Sequence, residues 1–202
     1  MKRLLISLAL TLLAFTNGCT PRTATTDTSK SSALPPVIGT LPPFTLTDQN
    51  GQTVTLESLH GHPFVIDFIF TSCTEFCLDM TDKMREVRAA LGSGSPVKCV
   101  SMSVDPKNDT PARLKSFAAS RGAVDPSWLF LTGERATVGT IMQSLMLAPS
   151  GDPAKLNPQQ HSSRLVLVDG EGKVRGYYPY DDAEARKRIV LDARALDAGG
   201  KP

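Results

Sequence analysis

Two cysteines stand three residues apart in the stretch FTSCTEFCLDM, Phe70 to Met80. Cys73 closely follows the apolar run FVIDFIF, Phe64–Phe70, at or just before the start of a helical pattern, and Cys77 lies four positions on. On a helix, positions i and i+4 share a face, with Cα atoms about 6 Å apart. That spacing suits a disulfide and equally lets two sulfurs converge on one metal ion. The positive end of a helix favours thiolate, the species that binds metal and attacks disulfides. Three chemistries are open: a metal clamp, a redox pair and a structural staple. The thioredoxin-type redox motif carries two residues between its cysteines, so this spacer leans away from an ordinary dithiol oxidoreductase without excluding it. A staple closing so small a loop constrains the unfolded chain little.

Two sulfurs do not complete a metal site, and the chain has 3 histidines. His60 and His62 flank Gly61 in a turn and read as solvated surface. His161 stands between a loop, Ala148–Gln160, and an apolar strand, Arg164–Val168. In a sheet of thioredoxin type, the residue entering this strand lies beside the reactive cysteines. On position alone, capping a strand and ligating a metal are about equally open to it. Cys73, Cys77 and His161 together make a soft, three-coordinate set, which suits Cu(I), or Cu(II) with an added ligand. Structural zinc takes four protein ligands, so copper, one ion per chain, is the better match.

The elements that must position these residues are legible around them. FTLTDQNGQTVTL, Phe44–Leu56, alternates on either side of Asn50-Gly51 and predicts a hairpin. FVIDFIF predicts a central strand covered on both faces. Phe76, Met80, Met84, Val87 and Leu91 share a helical face within Glu75–Leu91. VKCVSMSV, Val97–Val104, predicts a second buried strand. Thr110 and Pro111 open a helix that ends near Gly122, with Thr110 as N-cap. WLFL, 128–131, is a short strand, and Ala136–Leu147 is helical. Arg164–Asp169 and Lys173–Tyr178 pair about Gly170–Gly172, and Ala183–Leu196 is a last amphipathic helix. The order gives an α/β, thioredoxin-like, three-layer fold with an N-terminal β-hairpin extension. Reactive residues of such sheets lie at the carboxyl ends of strands, where helices begin.

Residues 1–18 precede this domain as a signal peptide. Lys2 and Arg3 lead an apolar run, Leu4–Phe15, that ends at Gly18-Cys19, too short to span a membrane stably. A cysteine after a small residue at that point suggests a bacterial lipoprotein with Cys19 lipidated. Plain cleavage or an uncleaved anchor also places the domain outside the cytoplasm. Residues 19–36 are rich in Thr, Ser and Pro and read as a flexible tether, with a reach of roughly 20–25 Å. The folded domain is expected over residues 37–196 and a C-terminal tail over 197–202. The whole chain holds 22 basic and 20 acidic residues among 202, with 41% hydrophobic residues. Losing Lys2 and Arg3 with the signal leaves a near-neutral domain, which gives no electrostatic case for nucleic acid. Outside the cytoplasm thiols tend to be oxidised or metal-bound. With Cys19 set aside, Cys73, Cys77 and Cys99 remain, an odd number. Cys99, mid-strand, reads as a small buried hydrophobe. Met80, Met84 and Met102 read as core, and Asp105 and Asp109 as turn and cap residues.

DFIFTSCTEFC, VSMSVDPKNDTP, WLFLTG and QHSSRLVLVDGEGKV resemble, in order, motifs of the Sco family. Those are membrane-tethered, thioredoxin-fold copper-binding proteins that assist assembly of cytochrome c oxidase. The likeness runs from about Gly39 to Tyr180. It implies metal-binding roles for Cys73, Cys77 and His161, with Cys73 and Cys77 also a redox pair able to form a disulfide. It implies Cu(I) or Cu(II) as cargo for the copper-site subunit of cytochrome c oxidase, with other copper chaperones or thiol reductants as further partners. It implies contact with the membrane through the N-terminal anchor, with the domain in the periplasm or outside the cytoplasmic membrane. Some members reduce client cysteines without carrying copper, so thiol-disulfide exchange is the alternative activity. Where the family usually has Pro after each cysteine and Asp before the histidine, this chain has Thr74, Leu78 and Gln160. A peroxiredoxin-like site needs Thr or Ser three residues before its cysteine; Phe70 stands there.

Overall fold

The computed structural model describes residues 34–73, 76–157 and 163–199, with Phe76 and Cys77 described by their backbone alone. In chain order the elements are β1 (Gly39–Thr40), β2 (Thr45–Asp48), β3 (Thr53–Thr55), β4 (Phe64–Ile69), α1 (Phe76–Leu91), β5 (Lys98–Ser103), α2 (Pro111–Ser120), β6 (Trp128–Thr132), α3 (Arg135–Ser144), β7 (Arg164–Val168), β8 (Lys173–Pro179) and α4 (Ala183–Gly199). The strands form one sheet in the order β1-β8-β7-β4-β5-β6-β2-β3. β4, β5 and β6 run parallel, and β7 lies antiparallel to β4 and to β8.

The all-buried strand FVIDFI follows from its apolar run. Alternate residues of a strand face opposite sides of a sheet, and here both sides are covered. Phe64, Ile66 and Phe68 pack with Val138, Ile141 and Met142 of α3. Val65 and Ile69 pack with Met80 and Met84 of α1, Leu114 of α2 and Ile189 of α4. Helices on both faces complete the three-layer thioredoxin-like arrangement. The helical methionines and Met102 are fully buried core, as expected.

The two hairpins share one turn chemistry, Asp-x-x-Gly. Asp48 Oδ1 accepts from the amides of Asn50 and Gln52 at 2.8 Å each, and Asp169 Oδ1 accepts from those of Glu171 and Lys173 at 2.9 Å each. Gly51 and Gly172 take the left-handed position of each turn at φ 80 and 76. The loops thus have three residues, a turn closed by a left-handed Gly, rather than a two-residue Asn-Gly turn. The first hairpin extends the sheet beyond β6.

Thr110 caps α2 as expected, its hydroxyl accepting from the Arg113 amide at 3.3 Å. Other boundaries differ from the sequence expectation. Pro35 is buried, and its carbonyl accepts from Arg175 Nη1 at 2.7 Å. β1 then pairs with β8, so the chain joins the fold before residue 37. α4 continues past Leu196 to Gly199. α3 stops at Ser144 because Met146 turns to φ 53 and the Leu147 amide reaches back to the Met142 carbonyl. No helix among the described residues is long and apolar enough to cross a membrane.

Candidate metal and thiol site

The site begins where β4 ends. The Cys73 amide donates to the Phe70 carbonyl at 3.3 Å, closing a turn that leaves the Cys73 side chain half-buried. The turn is fastened from below by Asp109, which is fully buried. Its carboxylate accepts from the Thr71 amide at 3.1 Å, from Thr71 Oγ1 at 2.5 Å and from Ser103 Oγ at 2.6 Å. Arg113 Nε donates to Thr71 Oγ1 at 2.6 Å and lies 3.8 Å from Asp109. Asp105, by contrast, stays a turn residue, accepting from Asn108 Nδ2.

Asp109 therefore does more than the turn and cap duty expected of it: it ties the loop after β5 to the cysteine loop after β4. The missing sequence signal was its partner, since nothing in Thr71 or Ser103 alone announces a shared carboxylate. Replacing Asp109 with Asn turns an amide toward hydroxyl donors. Asp109→Asn is expected to lower the unfolding free energy by about 2 kcal/mol, in line with losing one hydrogen bond to a buried charged group. It should also speed alkylation of Cys73 by iodoacetamide as the loop loosens. Denaturant unfolding and mass-resolved labelling check the two effects.

The second arm of the site comes from β7. Its antiparallel register on β4 pairs Phe64 with Val168 and Ile66 with Val166. Continued by two residues, that register brings Arg164 level with Phe68, so the chain entering β7 meets the sheet edge from which the cysteine loop leaves. The described part of the loop before it, as far as Lys155, is anchored. A short 3-10 turn, Pro153–Lys155, packs on α3, where Gly139 leaves no room for a Cβ against the Pro153 carbonyl. Gln143 Nε2 donates to the carbonyls of Pro149 and Gly151.

The Cys77 backbone lies in the first turn of α1. Its side chain, His161 and Cys19 lie outside the described residues. Among the described residues no group of three His, Cys, Asp or Glu is placed to hold a metal, since two of the three expected ligands are not in that set. Cys99 is free and fully buried, and burial pushes its thiol pKa far up, opposed by nearby Arg88; it is core, as expected. His62 precedes β4, at the opposite end of that strand from Cys73, and its exposed ring pairs with Asp197 at 2.8 Å.

The apolar run hides one further polar group. Asp67, in mid-β4, is fully buried, and neither carboxylate oxygen has a hydrogen-bond partner of ordinary geometry among the described residues. Burial raises its pKa from 3.8 to about 7, with the neighbouring Ser101 hydroxyl opposing. A single acid inside FVIDFIF was the visible signal.

Comparison with known proteins decides the family. The SCO1/SenC family model matches residues 36–195. The chain belongs to the SCO1/SenC family. Three solved SCO1/SenC-type structures resemble it closely. The structure of BsSco, described as having a disulfide switch and as a member of the Sco family of cytochrome c oxidase assembly proteins, is 31% identical with a TM-score of 0.71, over 82% of this chain and 98% of that one. A SCO1/SenC family lipoprotein from Bacillus anthracis str. Ames is 28% identical with a TM-score of 0.70, over 81% and 99%. Bradyrhizobium japonicum ScoI with copper bound is 28% identical with a TM-score of 0.63, over 78% and 99%.

Proposed function

We propose that this SCO1/SenC protein is a copper-binding chaperone that delivers copper to, or prepares the thiols of, the dinuclear copper site of cytochrome c oxidase. Cys73, Cys77 and His161 are the proposed ligands, and one copper ion per chain is the cargo. The observation that supports the reading is the register of β7 on β4, which sets Arg164, three residues after His161 in the sequence, level with Phe68, near the end of β4 from which the Cys73 loop departs. Two thiolates and one imidazole, brought together, would form a soft donor set suited to Cu(I). The copper held by the Bradyrhizobium ScoI structure and the oxidase-assembly role stated for BsSco support it.

The second reading is thiol-disulfide exchange by a Cys73–Cys77 couple, favoured by the disulfide switch described for BsSco. It uses the same sulfurs, so the two activities are alternative states of one site. The domain is placed outside the cytoplasmic membrane, in the periplasm, held by a lipid on Cys19 after removal of residues 1–18 and by a tether over 19–36. The lipoprotein neighbour supports that anchor.

Titration of the reduced, purified chain with Cu(I) under a competing chelator tests the reading. About one copper per chain is expected, held against the competitor. Copper that elutes with the chelator at every ratio would leave only the exchange reading.

A further inference from the structure

We propose that Leu34–Ile38 is a lipid-contacting strap: its apolar side chains enter the headgroup boundary of the bilayer, and the folded domain rests there with its Cys73 loop held away from the lipid. This rests on the reading of an exported, anchored chain and goes beyond it, since an anchor alone asks no contact of the folded domain.

Directly after the polar stretch 20–32 and Ala33, the segment LPPVI carries no charge and no hydrogen-bonding side chain, and the next charged residue is Asp48. The fold leaves this segment on the surface. Leu34, Val37 and Ile38 are 44%, 55% and 46% exposed, and Pro36 between them is exposed as well. Among the described residues 6 large hydrophobic side chains are exposed, and these are three of them. The others, Val124, Met146 and Leu191, stand far apart in sequence, as isolated surface apolar residues commonly do. Clustered exposed apolar residues mark a contact surface.

The strap is also fastened with these side chains outward. Pro35 is buried, and its carbonyl accepts from Arg175 Nη1 at 2.7 Å. Arg175 is itself held by Asp169, its Nε donating to Oδ2 at 2.6 Å. The Ile38 amide donates to the Val174 carbonyl at 2.9 Å, and β1 follows on the β8 edge. Pro35 and Pro36 have φ fixed at about −65°. A segment held at both ends and stiffened between them cannot turn its apolar side chains into the core.

The neighbouring sequence points to the occupant. Leu34 lies 15 residues after Cys19, and a tether of that length reaches roughly 20–25 Å. With a lipid on Cys19, the strap is the part of the described domain nearest the anchor along the chain. A bilayer accounts for an apolar cluster at this point; a second copy or a soluble client gives no reason for it. Because LPPVI is uncharged, the contact draws on apolar burial rather than on anionic headgroups. Leu34 lines a cleft with Gly61, Pro63, Gly170 and Glu171. Gly61 and Pro63 precede β4, and the Cys73 loop leaves its other end. At about 3.3 Å per residue, the 6 residues of β4 set that loop roughly 20 Å from the cleft, open to a partner in the aqueous phase.

The test places the full chain on vesicles of phosphatidylcholine brominated on its acyl chains, which quench tryptophan only at close range. Wild type gives the background, since Trp128, the one native tryptophan, is buried. Val37→Trp is compared with Lys107→Trp, an exposed position in the loop after β5, at the Cys73 end of the sheet. Val37→Trp emission should fall about twofold or more against unbrominated vesicles, as for a side chain ~5–10 Å into the headgroup boundary, and Lys107→Trp emission should hold. Equal quenching of both, or of neither, overturns the lipid contact. Ile38→Trp gives the same comparison if Val37→Trp does not fold. If the chain does not float with vesicles, the anchor reading fails by itself. A hexahistidine insert after Cys19, bound to nickel-chelating lipid, then holds the domain on the same tether, and the same pair of variants decides. Unquenched Val37→Trp together with a dimer that Val37→Lys dissociates would give the strap to a second copy of the chain and overturn the lipid contact.

Discussion

Serine in place of Cys73 is expected to abolish stoichiometric copper binding. A serine hydroxyl keeps the size and the half-buried position of the side chain but stays protonated at neutral pH, and a neutral hydroxyl is a hard, weak donor for Cu(I). The loss should exceed about 100-fold in affinity, the upper end of what removing an outer partner of a metal ligand costs. Stability should change little, because the loop is held by the Cys73 amide on the Phe70 carbonyl and by Asp109 on Thr71, and neither bond uses the sulfur. Chelator competition on wild type and Cys73→Ser, with denaturant unfolding alongside, checks both halves. Near-wild-type affinity in the variant would remove Cys73 from the ligand set.

The second large effect is on stability against pH. Asp67 binds its proton more tightly folded than unfolded, its pKa rising from 3.8 to about 7 through burial. The stability this contributes is fully present below about pH 3.8 and is lost as pH rises through about 7. At ~1.4 kcal/mol per pH unit the loss amounts to about 4 kcal/mol, a large share of a domain's net stability. Asp67→Asn removes the titrating group. The difference in unfolding free energy between wild type and Asp67→Asn should therefore move by about 4 kcal/mol, in favour of the variant, from pH 4 to pH 8. Urea unfolding at several pH values measures it, and parallel curves for the two proteins would contradict the assignment of the titration to Asp67.

Much of the frame was legible because the core elements bury on periodic patterns. FVIDFIF could only be a strand covered on both faces, and Met80, Met84 and Val87 could only face inward on α1. Thr110-Pro111 announced a helix start that the structure keeps. What was illegible depends on partners distant in sequence or on backbone geometry without a residue signature. β1 is two residues long and exists because β8 offers an edge. The end of α3 falls at a left-handed Met146 rather than a glycine. In the site, the cysteine spacing and the helix start were readable. The Asp109 clamp was not, because its meaning lies in Thr71, 38 residues away. Asp67 was visible as an acid in an apolar run, but only the packed sheet shows it fully buried opposite the Ser101 hydroxyl.

The meeting of two sulfurs and one imidazole on a single ion is tested most directly by the Cu(II) spectrum of the full chain with and without His161→Ala. With Cys73 and Cys77 intact, the wild-type complex should show an intense sulfur-to-copper charge-transfer band, and His161→Ala should bleach it and weaken binding. An unchanged band and unchanged affinity in His161→Ala would contradict the three-ligand site.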